Sequence, residues 1–338
     1  MTATLTRPAT RRPLGVALGL AALAGSIWAS LVIGWADLPV ETVWNALFQH
    51  TGAYDEVIVR ETRLPRTLTG IAVGAALGVA GGLIQALTRN PLADPGILGV
   101  NAGAAFFVAL SVALVGGMAA SGYVWFAFLG ALLATVAVYV IAAAGRERAT
   151  PGRLVLSGMA LSAVLNGIVL SLVLIDEQTF ERMRHWASTA LTGTDLGTLG
   201  TVTPFLLAGL VIAAVVAKPL DVIALGEELA GALGSNPAVV RTAVIGAVTL
   251  LAGGATALAG PVVFVGLMVP HVARWITGPD HRWMFALTAV LAPVLVLWAD
   301  TLGRLVLSTG EVPMGVVVAF LGAPVLIAMV RGRKASAA

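Results

Sequence analysis

Side chains able to do covalent or redox chemistry are scarce in this sequence, and their spacing excludes most of it. The four histidines stand at 50, 185, 271 and 281. There is no cysteine, which removes disulfides, iron–sulfur clusters and thiolate metal sites. His271 and His281 are the one pair that invites a metal reading, but histidines at the ends of apolar segments are ordinarily interfacial, so no metal ligand is assigned. Neither His-Glu-x-x-His nor Gly-x-Ser-x-Gly occurs. Gly-x-x-x-x-Gly-Lys-Ser/Thr is missing too, and lysine stands only at 218 and 334. The chain therefore has no P-loop for ATP, and neither a catalytic residue nor a cofactor is expected on it.

The polar residues that do occur are placed as contact surfaces. "LDVIALGEELAGALGSNPAVVR" (220–241) carries Asp221, Glu227 and Glu228 between two uncharged runs, 199–217 and 242–269. Leu225, Leu229 and Leu233 fall four apart, on one face of a helix, with Glu227 and Glu228 off that line. Gly226 and Gly234 bound the segment, Gly234 suits a helix stop, and Asn236 suits an N-cap with Pro237 at the first helical position. The spacing predicts two short capped helices over 218–241 with an apolar ridge. Such a ridge either receives a partner or folds back on its own protein.

The elements that must hold this knob are membrane spans. The 338 residues are 58% hydrophobic and 11% charged, where soluble chains carry about 25% charged residues. Mean hydropathy is +0.95. This composition predicts an all-α integral membrane protein, a single domain over 1–338. Ten spans are expected: 14–35, 67–87, 97–116, 123–144, 154–175, 199–217, 242–258, 261–277, 283–302 and 312–330. The eighth is the weakest, because Pro270, His271 and Arg274 crowd its second half; it is short, broken or re-entrant. The first exceeds a signal peptide's apolar core of about 7–15 residues and is read as an anchored span.

With the N-terminus inside, fourteen of the twenty lysines and arginines fall on inner segments, so both termini (1–13 and 331–338) and the knob are expected in the cytoplasm. The pI of 9.8 reflects this topology, at a net charge of only +3, and no nucleic acid is expected. Gly70, Gly74, Gly78 and Gly82 recur every four residues, predicting a tightly packed central helix. Residues 38–49 place Val40, Val43, Trp44, Leu47 and Phe48 on one face, predicting a short external helix at the lipid interface, capped by Asp37. Asn166 is a lone polar residue in the fifth span; it faces a pathway or bonds a neighbouring helix. Ionisable residues deep within a span are nearly lacking, Asp300 being the one candidate and lying close to a span end, which disfavours an ion-coupled carrier.

Three long motifs then carry a resemblance: "RLPRTLTGIAVGAALGVAGGLIQALTRNPLADPGILGVNAGA" (63–104), "GPVVFVGLMVPHVARWITGPDHR" (260–282) and "ADTLGRLVLSTGEVPMGVVVAFLGAPVLI" (299–327). Together with "ALGEELAGALG" they resemble the permeases of bacterial type II ABC importers for iron-siderophores, haem and cobalamin, over about residues 14–330. The resemblance implies a ten-helix subunit in the cytoplasmic membrane, paired with a second permease, identical or homologous. It implies two ATPase subunits, which carry the ATP, and an external substrate-binding protein. It makes 218–241 the loop that couples to the ATPase through Leu225, Gly226, Glu227, Glu228, Leu229, Leu233 and Gly234. Arg63, Arg66 and Arg304 become outward residues docking the binding protein's glutamates. Asn90, Leu92 and Thr150, in "RNPLADPG" and "ATPGR", become gate residues narrowing the pathway inside. Within the family, "NPLADPGILGVNAGA" is most similar to permeases for ferric siderophores or ferric citrate; haem and cobalamin are the alternative cargoes, and an ion-coupled transporter the rival of another class.

Overall fold

A backbone surrounded by hydrocarbon has no hydrogen-bond partner but itself, and this chain meets that demand with helices. The computed structural model describes residues 11–34, 38–49, 52–116, 120–144, 150–307 and 310–336, and among these there is no strand. Helix α1 (Arg11–Val32) is followed by the short α2 (Val40–Phe48) and α3 (Tyr54–Val57), a π-helical turn over Ile58–Arg63, and the long α4 (Leu64–Thr88). A 3₁₀ turn, Pro95–Leu98, leads into α5 (Val100–Val115), α6 (Ala120–Ala143), α7 (Pro151–Ile175), α8 (Glu177–Trp186) and α9 (Leu196–Ala224). The six-residue α10 (Glu227–Ala232) precedes α11 (Pro237–Ala259), α12 (Val265–Thr277), α13 (His281–Leu305) and α14 (Met314–Ser336).

Each of the ten expected spans falls on one of these helices. Among the described residues, seven helical stretches are long and apolar enough to cross a membrane, and Val100–Val115 and Met314–Ala328 are shorter apolar helices. The eighth span departs most. Its helix, α12, has 13 residues, a rise of about 20 Å against a hydrocarbon core of about 30 Å. The residues before it, 260–264, run without regular structure and turn at Phe264, whose φ is +69°. The helix in 261–277 is thus short, as its proline and polar residues led one to expect.

The glycine stripe of α4 lies against α13. A Cβ at Gly74 would stand 2.6 Å from the Cα of Pro293, and one at Gly78 would stand 2.6 Å from the Cβ of Ala292. Only hydrogen atoms allow two backbones this close. On another side of α4, Gly81 meets the carbonyl of Gly266 in α12, where Gln85 donates from Nε2 to the carbonyls of Gly266 (3.2 Å) and Leu267 (3.1 Å). α4 and α11 are the most enclosed spans and form the centre of the core.

The 89–99 segment does not stay at the membrane face. Gly158, well inside α7, faces the carbonyl of Ile97, and Gly99 packs beside Ala134, Val138 and Ser162 in the middle parts of α6 and α7. The chain thus folds back into the bundle before α5 begins, which explains why α5 needs only 16 residues. The predicted external helix is present as α2, but it is not simply laid on lipid. Val43 and Ala46 bury against Leu31, Leu38 and Val59, while Val40, Trp44 and Phe48 stay exposed. Pro39 occupies its cap position, and Asp37 lies outside the described residues.

Candidate functional site

The knob is built from one short helix, not two. α9 continues through Pro219 to Ala224, and the segment from Pro237 is already the first turn of the 23-residue α11. Proline at 219 does not stop α9 because the lost hydrogen bond falls near the helix end, outside the tightly packed middle. Between the two spans, Gly226 (φ +123°) makes a turn that no other residue adopts easily, and α10 follows. α10 ends in a Schellman arrangement: Ser235 N–H bonds the carbonyl of Ala230 (2.9 Å), Gly234 N–H bonds that of Gly231 (3.0 Å), and Gly234 has φ +78°. Asn236 accepts from the N–H groups of Ala238 (3.1 Å) and Val239 (3.4 Å), capping α11 as expected.

The knob stands out from the bundle. Leu225, Leu229 and Leu233 are 67%, 48% and 61% exposed, while Ala230 on the other face is fully buried against the spans. Glu228 is exposed beside these leucines. The expected single helical ridge is corrected: Leu225 ends α9 on the far side of the Gly226 turn, Leu229 lies on α10 and Leu233 caps its end, so the three form an exposed apolar patch around a short helix; burying one leucine contributes about 1.5–3 kcal/mol. Its base is tied to other spans. Arg89 ends α4 in a left-handed conformation (φ +50°) and donates to the carbonyl of Ile223 (2.8 Å). Asp221 accepts from the backbone and ring N–H of His281, at the start of α13. Arg12 of α1 reaches the same corner through the carbonyl of Thr277 (3.0 Å) and the carboxylate of Asp280 (3.3 Å). A force on the knob therefore meets α9, α11, α4 and α13 together. A cleft of ≈ 640 Å³ opens beside it, with Arg89, Arg274 and His281 on its walls. His271 stacks on Trp275 at 4.6 Å, so the two histidines weighed above as a metal pair are engaged separately.

The three outer arginines do cluster at the opposite end of the bundle, but they are not presented outward. Their exposures are 5% for Arg63, 7% for Arg66 and 6% for Arg304. All three arginines are already engaged within this chain, for two physical reasons. First, the last carbonyls of α1 have no helical partner and attract cations. Arg63 Nη1 donates to Leu31 (2.8 Å) and Val32 (2.6 Å), and Arg304 Nη1 donates to Ser30 (3.1 Å) and Ile33 (2.9 Å). Second, Asp300 needs positive partners. Arg66 grips it with Nε and Nη2 at 2.7–3.0 Å, and Arg304 reaches its other oxygen at 3.0 Å. Glu311, about a third exposed, closes the cluster on Arg66 at 2.8 Å. Ser30 and Thr67 join α1 to α4 through their hydroxyls at 2.8 Å.

The gate residues occupy two separate turns. Asn90 Oδ1 accepts from the N–H of Leu92 (3.0 Å), which sets the turn that sends the chain back into the bundle. Thr150 accepts from the N–H of Arg153 and caps α7. Asn166 is exposed on α7. On the loop before α9, Asp195 caps that helix; the hydroxyl and N–H of Thr198 hold its carboxyl below the usual range. Sequence reading missed the ties at Arg89, Asp221 and Glu311. Their partners lie far along the chain, and only the left-over charge of Asp300 signalled that such a network existed.

The FecCD transport family matches residues 22–332. The ferric enterobactin transport system permease protein of Escherichia coli K12 is 46% identical over 305 residues, covering 89% of this chain and 90% of that protein. The Fe(3+)-citrate import system permease protein of Bacillus subtilis 168 is 37% identical over 304 residues, covering 89% of this chain and 90% of that one. A solved inward-facing structure described as a metal-chelate type ABC transporter superposes with a TM-score of 0.82 at 26% identity, covering 95% of this chain and 99% of the other. With the family's match spanning nearly the whole helical bundle, this multi-pass membrane protein belongs to the FecCD transport family.

Proposed function

We propose that the chain is the non-catalytic permease subunit of an ATP-driven importer that carries ferric siderophores across the bacterial cytoplasmic membrane. One observation carries the reading: a short turn-and-helix knob with Leu225, Leu229 and Leu233 exposed around it projects from a bundle whose sequence has no nucleotide-binding motif. Such a knob needs an outside engine. An ATPase pair with a groove for the knob supplies it, and ties at Arg89 and Asp221 pass the displacement to α4 and α13. The cargo assignment draws on the ferric chelates named for the relatives, which favours iron over haem or cobalamin.

The rest of the assembly follows from the same reading. Ten passes put both termini and the knob in the cytoplasm. A second permease, identical or homologous, covers α7, the least enclosed of the long spans, on which Asn166 would otherwise face lipid. The substrate-binding protein docks over the outer arginine cluster. Asn90, Leu92 and Thr150 narrow the pathway on the inner side.

Leu229→Asp is the test of the coupling role. A charge inside an apolar contact costs several kcal/mol, roughly 2–7 for an unsatisfied polar group. The variant is expected to reach the membrane and to lose copurification of the ATPase. ATPase retained at native stoichiometry would refute the assignment of the knob.

A further inference from the structure

The central helix α11 is enclosed along most of its length, but not evenly. Over the half that ends at Ala259, α6 and α9 meet across it. The rings of Trp125 and Phe128 in α6 lie 6.0 and 5.0 Å from that of Phe205 in α9. Beneath them, Gly253 packs on Ala131 of α6 and Gly254 on Leu206 of α9. Over the half that begins at Pro237 the cover is incomplete. Thr242 is exposed, and Gly246 and Leu250 are only half-buried, all three on one face at four-residue spacing. This strip is the floor of a slot of ≈ 360 Å³ whose side wall is Leu132, Thr135, Val136 and Tyr139 of α6.

Three properties of the slot describe its occupant. First, it lies within stretches of α6 and α11 that are long and apolar enough to cross a membrane, and Leu133, Val136 and Val140 beside it are exposed on the surface of the bundle. A gap that faces hydrocarbon is filled by hydrocarbon, because an empty one forfeits its dispersion contacts. Second, the rise from Thr242 to Leu250 is about 12 Å, close to the ~15 Å of hydrocarbon in one leaflet. Third, its polar groups are nearly all spent. Thr135 donates to the carbonyl of Ala131 (2.9 Å), Thr242 to that of Ala238 (3.0 Å) and Thr249 to that of Ile245 (2.8 Å). The phenol of Tyr139 is the slot's one hydroxyl left for an occupant, and α6 ends four residues later at Ala143. That is about 6 Å from the helix end, where tyrosine rings sit at the level of the lipid head groups.

We propose that the slot is a binding site for one phospholipid of the surrounding bilayer. An acyl chain lies along Thr242, Gly246 and Leu250, and an ester or phosphate oxygen of the same lipid accepts from the Tyr139 hydroxyl. The site is separate from the knob and from the outer arginine cluster, and it is independent of the cargo. It lies on the span that the chain enters directly after the knob, at Pro237. Gly246 makes room for the acyl chain. A Cβ added there would meet nothing within 4 Å, unlike one at Gly253 or Gly254. A larger side chain at 246 therefore fills the slot without disturbing the packing of α6 on α11.

The test counts retained lipid. The complete importer is reconstituted in nanodiscs of palmitoyl-oleoyl phosphatidylglycerol, released into detergent, washed, and weighed by native mass spectrometry. The native importer is expected to keep one phosphatidylglycerol on this chain after the remaining lipid has been washed away. Gly246→Leu is expected to lower that retention by about tenfold or more, as the apolar contact is lost. Tyr139→Phe is expected to lower it by about two- to tenfold, the scale of one hydrogen bond. Equal retention in Gly246→Leu and the native chain overturns the site, and so does a native chain that holds no phospholipid beyond the general loss. A cysteine at Val136 that crosslinks to a second permease also overturns it, because the slot is then a protein interface.

Discussion

Arg304 shows most clearly what the residue scale adds. It is four residues from Asp300, bonds two carbonyls at the end of α1, and sits beside Arg66, which holds the same carboxylate. Breaking one partner out of a buried ionic group costs about 3–5 kcal/mol, because the remaining charge is left uncompensated. Arg304→Ala is therefore expected to lower the unfolding temperature of the detergent-solubilised permease clearly, and Arg304→Lys less so. An unchanged unfolding temperature in the alanine variant would show that the cluster is not structural. The proposed docking over this cluster is tested at another residue. Glu311 is the cluster's exposed acid and competes for Arg66 with any carboxylate arriving from outside. Glu311→Gln is expected to tighten the binding protein's association at low salt, with the gain fading as salt rises. Equal affinity at low salt would remove docking from this cluster. The sequence showed that Asp300 was anomalous, but its partner Arg66 is 234 positions away, and no local spacing points to it.

At the scale of elements, what was legible is what depends on neighbours in the chain. The four-residue glycine rhythm of α4 and the caps at Gly234 and Asn236 follow from helical periodicity and backbone preference, whereas the leucine spacing is broken by the Gly226 turn, which puts Leu225 at the end of α9. What was not legible depends on contacts between distant segments. No local spacing shows that α9 runs on through Pro219, or that the chain after Arg89 turns back between α6 and α7. The re-entrant course bears on the gate. Pro91 and Pro95 prevent a helix there, and Asn90 fixes the turn at Leu92. The chain has no native cysteine, so a cysteine at Leu92 reports without background from this subunit. Its thiol-labelling rate is expected to differ between nucleotide-free and ATP-trapped complexes. Identical rates in the two states would place the gate elsewhere.

For the whole molecule, the arrangement is a bundle with two working ends. One end carries the leucine knob and its ties to α4 and α13; the other carries the arginine cluster and the 187–195 loop. α4 and α11 join them as the rigid centre, packed too closely for side chains at Gly74 or Gly81. On the proposed function, ATP hydrolysis on a partner moves this bundle through the knob. The most direct measurement is uptake of radioactive ferric siderophore by proteoliposomes containing the complete importer, with internal ATP held constant and an ionophore added. The account predicts that uptake persists when the ion gradients collapse, stops without ATP, and is lost in Leu229→Asp. Uptake that stops with the gradient while ATP is present, or that proceeds normally in Leu229→Asp, would contradict it.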